Sequence, residues 1–203
     1  MNIKLKLEVN RMKKLLGPLV IIIVIIAIIA VVLFSSKNSF VDAEEDVNKA
    51  YAQVENQLQR RLDLIPNLVN TVKGFASHEK EVLSNIADAR SKLAGASTPE
   101  DQAAANDQLS GALSRLLVVV ENYPELKADA NFRQLMDELA GTENRLSVAR
   151  QDYNAVVSDY NKKVKRMPGS IVASIFGFDE KEYFKADAAA QDAPVVDFEG
   201  DGE

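Results

Sequence analysis

The chain has 203 residues with a formal net charge of −6, and it contains no cysteine, no tryptophan and a single histidine. The lack of cysteine excludes a disulfide-stapled domain, a thiolate metal site, a cysteine nucleophile and an acylated lipoprotein anchor. The charge is unevenly distributed, because residues 1–37 carry a net +5 and residues 38–203 a net −11. A basic end beside an acidic body favours a membrane protein and argues against nucleic acid as a partner.

A block of twenty uncharged residues from Leu15 to Phe34 is rich in isoleucine and valine. A helix of this length spans roughly 30 Å, about one hydrocarbon core, so the block predicts a transmembrane helix with the lipid bilayer as its partner. The alternative is a cleaved signal peptide, whose apolar region is normally shorter. Most flanking cations precede the block, which predicts a cytoplasmic N-terminus and an extracytoplasmic body by the positive-inside rule.

Apolar residues recur in steps of three and four along the body, the pattern of amphipathic helices. The first stripe runs from about Asp42 to Leu93, and Pro66 inside it is expected to bend or break the helix. Thr98-Pro99-Glu100-Asp101 provides an N-cap and a first turn for the next helix, which carries apolar residues as far as Tyr123.

The third long stripe repeats every seven residues from Phe132 to Met167, which is typical of supercoiled antiparallel helices, as in a coiled coil. The segment from Ile171 to Phe184 is expected to fold back on the bundle, with aromatic plugs at Phe176, Phe178, Tyr183 and Phe184.

The predicted fold is all-α: a single N-terminal transmembrane helix followed by a long antiparallel up-and-down helical bundle. We divide the chain into a short basic cytoplasmic segment at 1–14, the transmembrane helix at 15–34, a juxtamembrane linker at 35–41, the bundle at 42–184 and an acidic disordered tail at 185–203.

Residues that usually carry chemistry are scarce. His78 belongs neither to a Glu-x-x-His pair nor to a His-Glu-x-x-His helix, so we interpret it as a partly exposed helix residue. The sequence contains no glycine-rich phosphate loop and no Gly-x-Ser-x-Gly elbow. We predict no catalytic residue, no metal site, no cofactor and no enzymatic activity.

Two polar features are candidate interaction sites. Tyr153-Asn154 and Tyr160-Asn161 are seven residues apart and share a helix face, either as core residues that set the helix register or as a polar recognition strip. The other feature surrounds Pro66, either as an ordinary charged surface or as a docking notch whose side chains satisfy carbonyls freed by the proline. It comprises Gln57, Gln59, Arg60, Arg61, Asp63, Pro66 and Asn67.

Together these motifs resemble the LemA family of bacterial membrane-anchored helical proteins, over about residues 37–184 plus the anchor. Tyr51 stands where the family often has tryptophan, and Met167 where an aromatic residue commonly precedes proline. The resemblance implies a four-helix up-and-down bundle in the bacterial inner membrane, without implying a reaction, cofactor or substrate. It is carried by Val54–Val69, Val72–Ala76, His78-Glu79, Glu121–Lys127, Gly141–Arg145, Arg150, Tyr153-Asn154, Tyr160-Asn161, Pro168 and Phe176-Gly177-Phe178.

We therefore expect a non-enzymatic scaffold or adaptor of the bacterial cell envelope. It would bind an unidentified membrane or envelope protein, or a second copy of itself, through helix faces. The alternative is a ligand-binding sensor ectodomain that signals through a partner protein.

Overall fold

The computed structural model describes the backbone of residues 2–185 and the side chains of residues 18–185. The described residues form helices and no strand, which confirms the all-α fold. All but the first residue of the acidic tail predicted at 185–203 lies outside the described residues. The helices are α1 (Asn2–Phe75), α2 (Lys80–Gly95), α3 (Pro99–Val120), α4 (Pro124–Ala128), α5 (Ala130–Lys165) and α6 (Gly169–Phe176).

Helix α1 runs for 74 residues without interruption and contains the apolar block. Within the described side chains, Pro18–Phe75 is the one helical stretch long and apolar enough to cross a membrane, and no protein covers its most apolar part. Residues 35–41, predicted as a linker, are helical and continue directly from the apolar block.

Of the bend or break expected at Pro66, the break does not occur, because α1 continues to Phe75 and the chain turns at residues 76–79. The proline is exposed, so its ring meets solvent rather than a neighbouring helix. Gly74 is a weak helix former close to the real end of the helix. His78 lies in the turn and is exposed, so its predicted place on a helix is wrong.

The described chain divides into two compact units, and the first, here called the bundle unit, comprises Asp46–Ser158 and residues 181–185. Its long elements are the second part of α1, α2, α3 and most of α5. Tyr51 of α1 contacts Tyr153 of α5, and Arg61 contacts Glu143, so numbers rise on one helix as they fall on the other. The two helices are therefore antiparallel, as an up-and-down bundle requires.

Local signals place the helix ends of the bundle unit as predicted. The Thr98 hydroxyl accepts a hydrogen bond from the Asp101 N–H at 3.1 Å, with Pro99 as the first helical residue of α3. On α5 five buried residues keep the seven-residue spacing: Phe132, Leu139, Leu146, Tyr153 and Tyr160. Between the last two, Val157 is fully buried and Val156 is not, since one turn of 3.6 residues falls between steps of three and four.

The second unit, here called the juxtamembrane unit, comprises residues 2–45 and Asp159–Glu180. Phe40 is its centre: the ring stacks on Phe178 at 4.9 Å and meets Tyr160 edge-on at 6.2 Å. Gly169 begins α6 at a close approach, since a Cβ there would lie 2.3 Å from the Lys163 carbonyl oxygen. A side chain at position 169 is therefore incompatible with this packing.

Two of the four expected aromatic plugs are packed. Phe178 stacks on Phe40, and Phe184 is buried against Tyr51 and Tyr153. The prediction is wrong for Phe176 and Tyr183, which are each 37% exposed. It is also wrong for Met167 as the last member of the α5 stripe, because α5 ends at Lys165 and Met167 is 71% exposed.

Candidate functional site

The polar residues around Pro66 do not form one cluster, because α1 turns them to different sides. Arg61 is 2% exposed and points into the bundle unit, whereas Arg60 beside it is exposed. Adjacent helix residues lie about 100° apart, so neighbours in sequence meet different surroundings.

Arg61 joins three helices of the bundle unit. Its Nη1 donates to Asn106 Oδ1 of α3 and to Glu143 Oε2 of α5, and its Nη2 donates to Ser110 Oγ at 3.2 Å. Burial lowers the pKa of the Arg61 guanidinium, and the carboxylate of Glu143 opposes that effect. The ion pair therefore stabilises a charge that the core alone disfavours.

A second arginine lies in the same interior. Arg150 Nη1 is 4.0 Å from Asp107 Oδ1, and its guanidinium lies over the Phe184 ring at 5.6 Å from the centroid. Burial lowers the pKa of Arg150, with Asp107 and then Glu143 acting in the opposite direction. We call this set the core polar cluster: Arg61, Asn106, Asp107, Ser110, Glu143 and Arg150.

Several buried donors of the core polar cluster have no acceptor among the described residues: Arg61 Nε, Asn106 Nδ2, and Arg150 Nε and Nη2. Such donors are rare inside proteins, and ordered water, an ion or a ligand can supply their acceptors. Of the core polar cluster, the sequence interpretation named only Arg61 as a candidate site residue. The signal of the cluster was Gln102 and Asn106, two amides spaced four residues apart on the buried face of α3.

Two residues of the predicted cluster, Gln57 and Arg60, line a surface groove between α1 and α5. Arg60 Nη2 lies 3.2 Å from Glu138 Oε2, and Arg145 Nε donates to Gln57 Oε1 at 3.3 Å. Arg60, Glu138 and Arg145 line an open cavity of about 690 Å³. Gln57 and Arg145 line a second one of about 430 Å³. Because Arg145 borders both cavities, the two cavities form one surface, which we call the α1–α5 groove. Its remaining lining residues are Ala50, Gln53, Ala130, Arg133, Gln134, Asp137, Gly141, Asn144, Val148, Ala149 and Asp152.

The rest of the predicted cluster lies outside this groove. Gln59 donates to Asp63 at 2.8 Å on the surface, and Pro66 and Asn67 are exposed. None of the predicted side chains is seen to satisfy the carbonyl freed by the proline. Arg90 of α2 does so instead, since its Nε donates to the Leu62 carbonyl oxygen at 3.0 Å.

The two tyrosine–asparagine pairs are internal. Asn154 donates to the Phe184 carbonyl oxygen at 2.8 Å and accepts from the Phe184 N–H at 2.9 Å. Tyr153 donates to the Glu182 carbonyl oxygen at 2.9 Å, and burial raises the pKa of Tyr153 to about 12. In the juxtamembrane unit, Tyr160 and Asn161 are both buried. These positions favour a packing role over an exposed recognition strip.

The described side chains include no group of three or more histidine, cysteine, aspartate or glutamate residues arranged to hold a metal ion. The arrangement instead provides a fixed polar interior and an open, charged groove. Such features are suited to holding helices in register and to binding another molecule at the surface.

A long apolar helix continuous with an all-α bundle defines an anchored helical-bundle membrane protein. The chain belongs to the LemA family, whose sequence model matches residues 50–198, and this confirms the resemblance drawn from the motifs.

Named relatives are similar over much of the chain. Magnetosome protein MamQ 2 of Paramagnetospirillum magneticum is 29% identical over 185 residues, covering 78% of this chain and 68% of that protein. Magnetosome protein MamQ of Magnetospirillum gryphiswaldense is 27% identical with the same coverage. Protein LemA of Metamycoplasma hominis is 25% identical over 137 residues, covering 66% of this chain and 61% of that protein.

Proposed function

We propose that this protein is a non-enzymatic, membrane-anchored scaffold or adaptor of the bacterial cell envelope that binds another protein through the α1–α5 groove. The observation that carries the proposal is the position of Arg145, which borders both cavities and joins them into one accessible surface. Arginine is enriched at protein interfaces, where its planar guanidinium forms several hydrogen bonds at once.

The groove also suggests the chemistry of its partner. Among the described residues, three arginines and two carboxylates border the larger cavity: Arg60, Arg133, Arg145, Asp137 and Glu138. The smaller cavity has Val148 at its edge, and that side chain is 58% exposed. A helix that carries both an acidic and an apolar residue on one face would complement both parts. The partner is either an envelope or membrane protein or a second copy of this chain.

Site-specific photocrosslinking in native membranes tests the proposal. A photoreactive residue is placed at Gln53 or Val148 in the groove, and at Val118 on α3 as the control. Val118 is 72% exposed and lies outside the groove, so it reports random encounters. A discrete crosslinked product from both groove positions, absent at Val118, is the expected result. Equal labelling at all three positions contradicts it.

The proposed topology places the N-terminus in the cytoplasm and the bundle outside the cytoplasmic membrane. The support is the excess of cations before the apolar block. Alkaline phosphatase is an enzyme that folds only after export. Fused to the C-terminus of this chain, it is expected to be active. Activity of a cytoplasm-dependent reporter at the same position, with an inactive phosphatase fusion, contradicts this orientation.

A sensor function is the second candidate, and the donors of the core polar cluster that lack protein acceptors favour it. Two arginines around such donors suit a small anion such as a dicarboxylate. A thermal shift of the full-length protein with succinate, lost in the Arg150→Met variant, would support a sensor. The absence of any shift across a panel of dicarboxylates would leave the scaffold as the better account.

A further inference from the structure

Helix α6 in the juxtamembrane unit has an apolar stripe that no described part of the chain covers. Ile171 and Ile175 are 46% and 58% exposed and lie one helical turn apart. The opposite side of α6 is packed, since Val172 and Ala173 are buried. The helix contains no charged residue, so an aqueous setting would leave this stripe in unfavourable contact with water.

The position of α6 along the anchor is fixed by α1. Lys37 Nζ lies over the Phe176 ring, 5.2 Å from its centroid. Lys37 is three residues beyond Phe34, which is the last residue of the uncharged block. In an unbroken helix that distance is about 4.5 Å, and the headgroup layer extends roughly 5–8 Å beyond the hydrocarbon core. The end of α6 is therefore level with the lipid headgroups.

Cations surround a surface cavity at the same level. The cavity, of about 450 Å³, is lined by Lys162, Lys163 and Arg166 together with Ser36 and Ser39. The two serines lie about 3 Å and 7.5 Å along α1 from Phe34, which places them within the headgroup layer.

The charges in this cavity are ordered by contacts within the juxtamembrane unit. Lys163 Nζ donates to the Ser39 carbonyl oxygen at 2.6 Å and lies over the Phe40 ring. Lys162 Nζ pairs with Asp159 Oδ1 at 2.9 Å. Among the described residues, Asp159 is the only carboxylate that lines the cavity. Three cations against one carboxylate leave a local positive charge, in contrast to the net −11 of residues 38–203.

We propose that α6 is a membrane-docking element beside the anchor. The Ile171/Ile175 stripe enters the boundary between headgroups and acyl chains, and the cavity at Lys162, Lys163 and Arg166 binds the phosphate of an anionic phospholipid. An apolar stripe next to clustered cations is the arrangement by which helices lie in the membrane interface. The anchor supplies the first membrane attachment, so the second needs little additional affinity.

The chain contains no tryptophan, so one introduced residue reports its own surroundings. The full-length Ile175→Trp variant is placed in nanodiscs of phosphatidylcholine with one third phosphatidylglycerol, with and without bromine on the acyl chains. Val118→Trp on α3 is the matched control. We expect at least threefold stronger quenching by the brominated chains for Ile175→Trp. Quenching equal to the control overturns the proposal.

Two further outcomes keep the test decisive. A blue-shifted Ile175→Trp emission without bromine quenching means that protein covers the stripe, as in a pair of chains, and it also overturns the proposal. Should Ile175→Trp lose helicity by circular dichroism, Ile171→Trp takes its place with the same expected result.

The lipid preference is measured by placing the bromine on phosphatidylglycerol alone or on phosphatidylcholine alone. Quenching by brominated phosphatidylglycerol is expected to exceed that by an equal amount of brominated phosphatidylcholine. The Lys162→Gln/Arg166→Gln variant should abolish this preference, because each cation near an anionic surface contributes roughly fivefold in affinity. An identical response to both lipids in the unsubstituted cavity contradicts the anionic site.

Discussion

Arg90 Nε donates a hydrogen bond of 3.0 Å to the carbonyl oxygen of Leu62. Leu62 lies four residues before Pro66, so its carbonyl is the acceptor that a proline nitrogen cannot serve. An arginine of α2 thus takes the place of the missing backbone donor of α1. The contact satisfies this acceptor within an unbroken α1, and it links the second helix to the first.

This relationship predicts a coupling between Arg90 and Pro66 in a double-mutant cycle. Arg90→Met should lower the free energy of unfolding by about 1–2 kcal/mol, because it leaves a buried carbonyl unpaired. In a Pro66→Ala background the alanine N–H serves Leu62, and the cost of Arg90→Met should fall below about 0.5 kcal/mol. Urea denaturation followed by circular dichroism measures the free energy of unfolding of all four proteins. Strictly additive effects of the two substitutions would contradict the idea that Arg90 replaces the backbone N–H that Pro66 lacks.

Arg61 and Arg60 form a matched pair for measuring the core polar cluster. Arg61→Ala should destabilise the bundle unit by about 3 kcal/mol, because buried Asn106 and the half-exposed carboxylate of Glu143 both lose their partner. Arg60→Ala removes only an exposed ion pair with Glu138 and should cost less than about 1 kcal/mol. The same denaturation experiment compares them, and equal costs would show that the buried network contributes little stability.

The sequence predicted the elements whose signals are local. The uncharged block and the Thr98 cap depend on neighbouring residues only, and both lie where they were expected. The length of α1 was not predicted. The carbonyl oxygen of Leu62, which Pro66 leaves without a backbone donor, accepts from Arg90, a residue 24 positions beyond the proline in sequence. A local rule for proline has no access to such a tertiary donor.

The candidate site was predicted in composition but not in arrangement. A stripe of apolar residues indicates which face of a helix is buried. Arg61 lies on that buried face, but a charged residue is normally predicted to lie on the surface. Its partners Asn106 and Glu143 come from two other helices, so their meeting depends on the packing of the bundle. The hydrogen bonds of Asn154 likewise depend on Phe184 lying against α5, which the local sequence does not indicate.

Asn154 is expected to hold residues 182–185 against α5. In Asn154→Ala, amide hydrogen exchange at Phe184 should accelerate about tenfold or more, because two hydrogen bonds contribute roughly 1–3 kcal/mol together. Asn144→Ala, an exposed change on the same helix, is the control and should leave Phe184 unaffected. Unchanged protection at Phe184 in Asn154→Ala would remove the asparagine from this role.

The buried tyrosines predict how stability depends on alkaline pH. Burial raises the pKa of both Tyr153 and Tyr160 to about 12, above the ordinary value of 10. The unfolded chain therefore loses these protons first, so stability is unaffected by them below pH 10 and falls as the pH rises from 10 to 12. Tyrosinate absorbance and circular dichroism recorded together test this, and Tyr153→Phe should remove one of the late-titrating groups. Complete titration of all tyrosines near pH 10 in the folded protein would contradict it.

Charge reversal within the α1–α5 groove tests most directly whether the groove binds a protein. The yield of the crosslinked product from a photoreactive residue at Gln53 is measured in native membranes with Arg145→Glu, and with Arg115→Glu on the exposed side of α3 as the matched control. We predict at least a fivefold lower yield with Arg145→Glu and an unchanged yield with Arg115→Glu. Equal yields from the two variants would contradict the account.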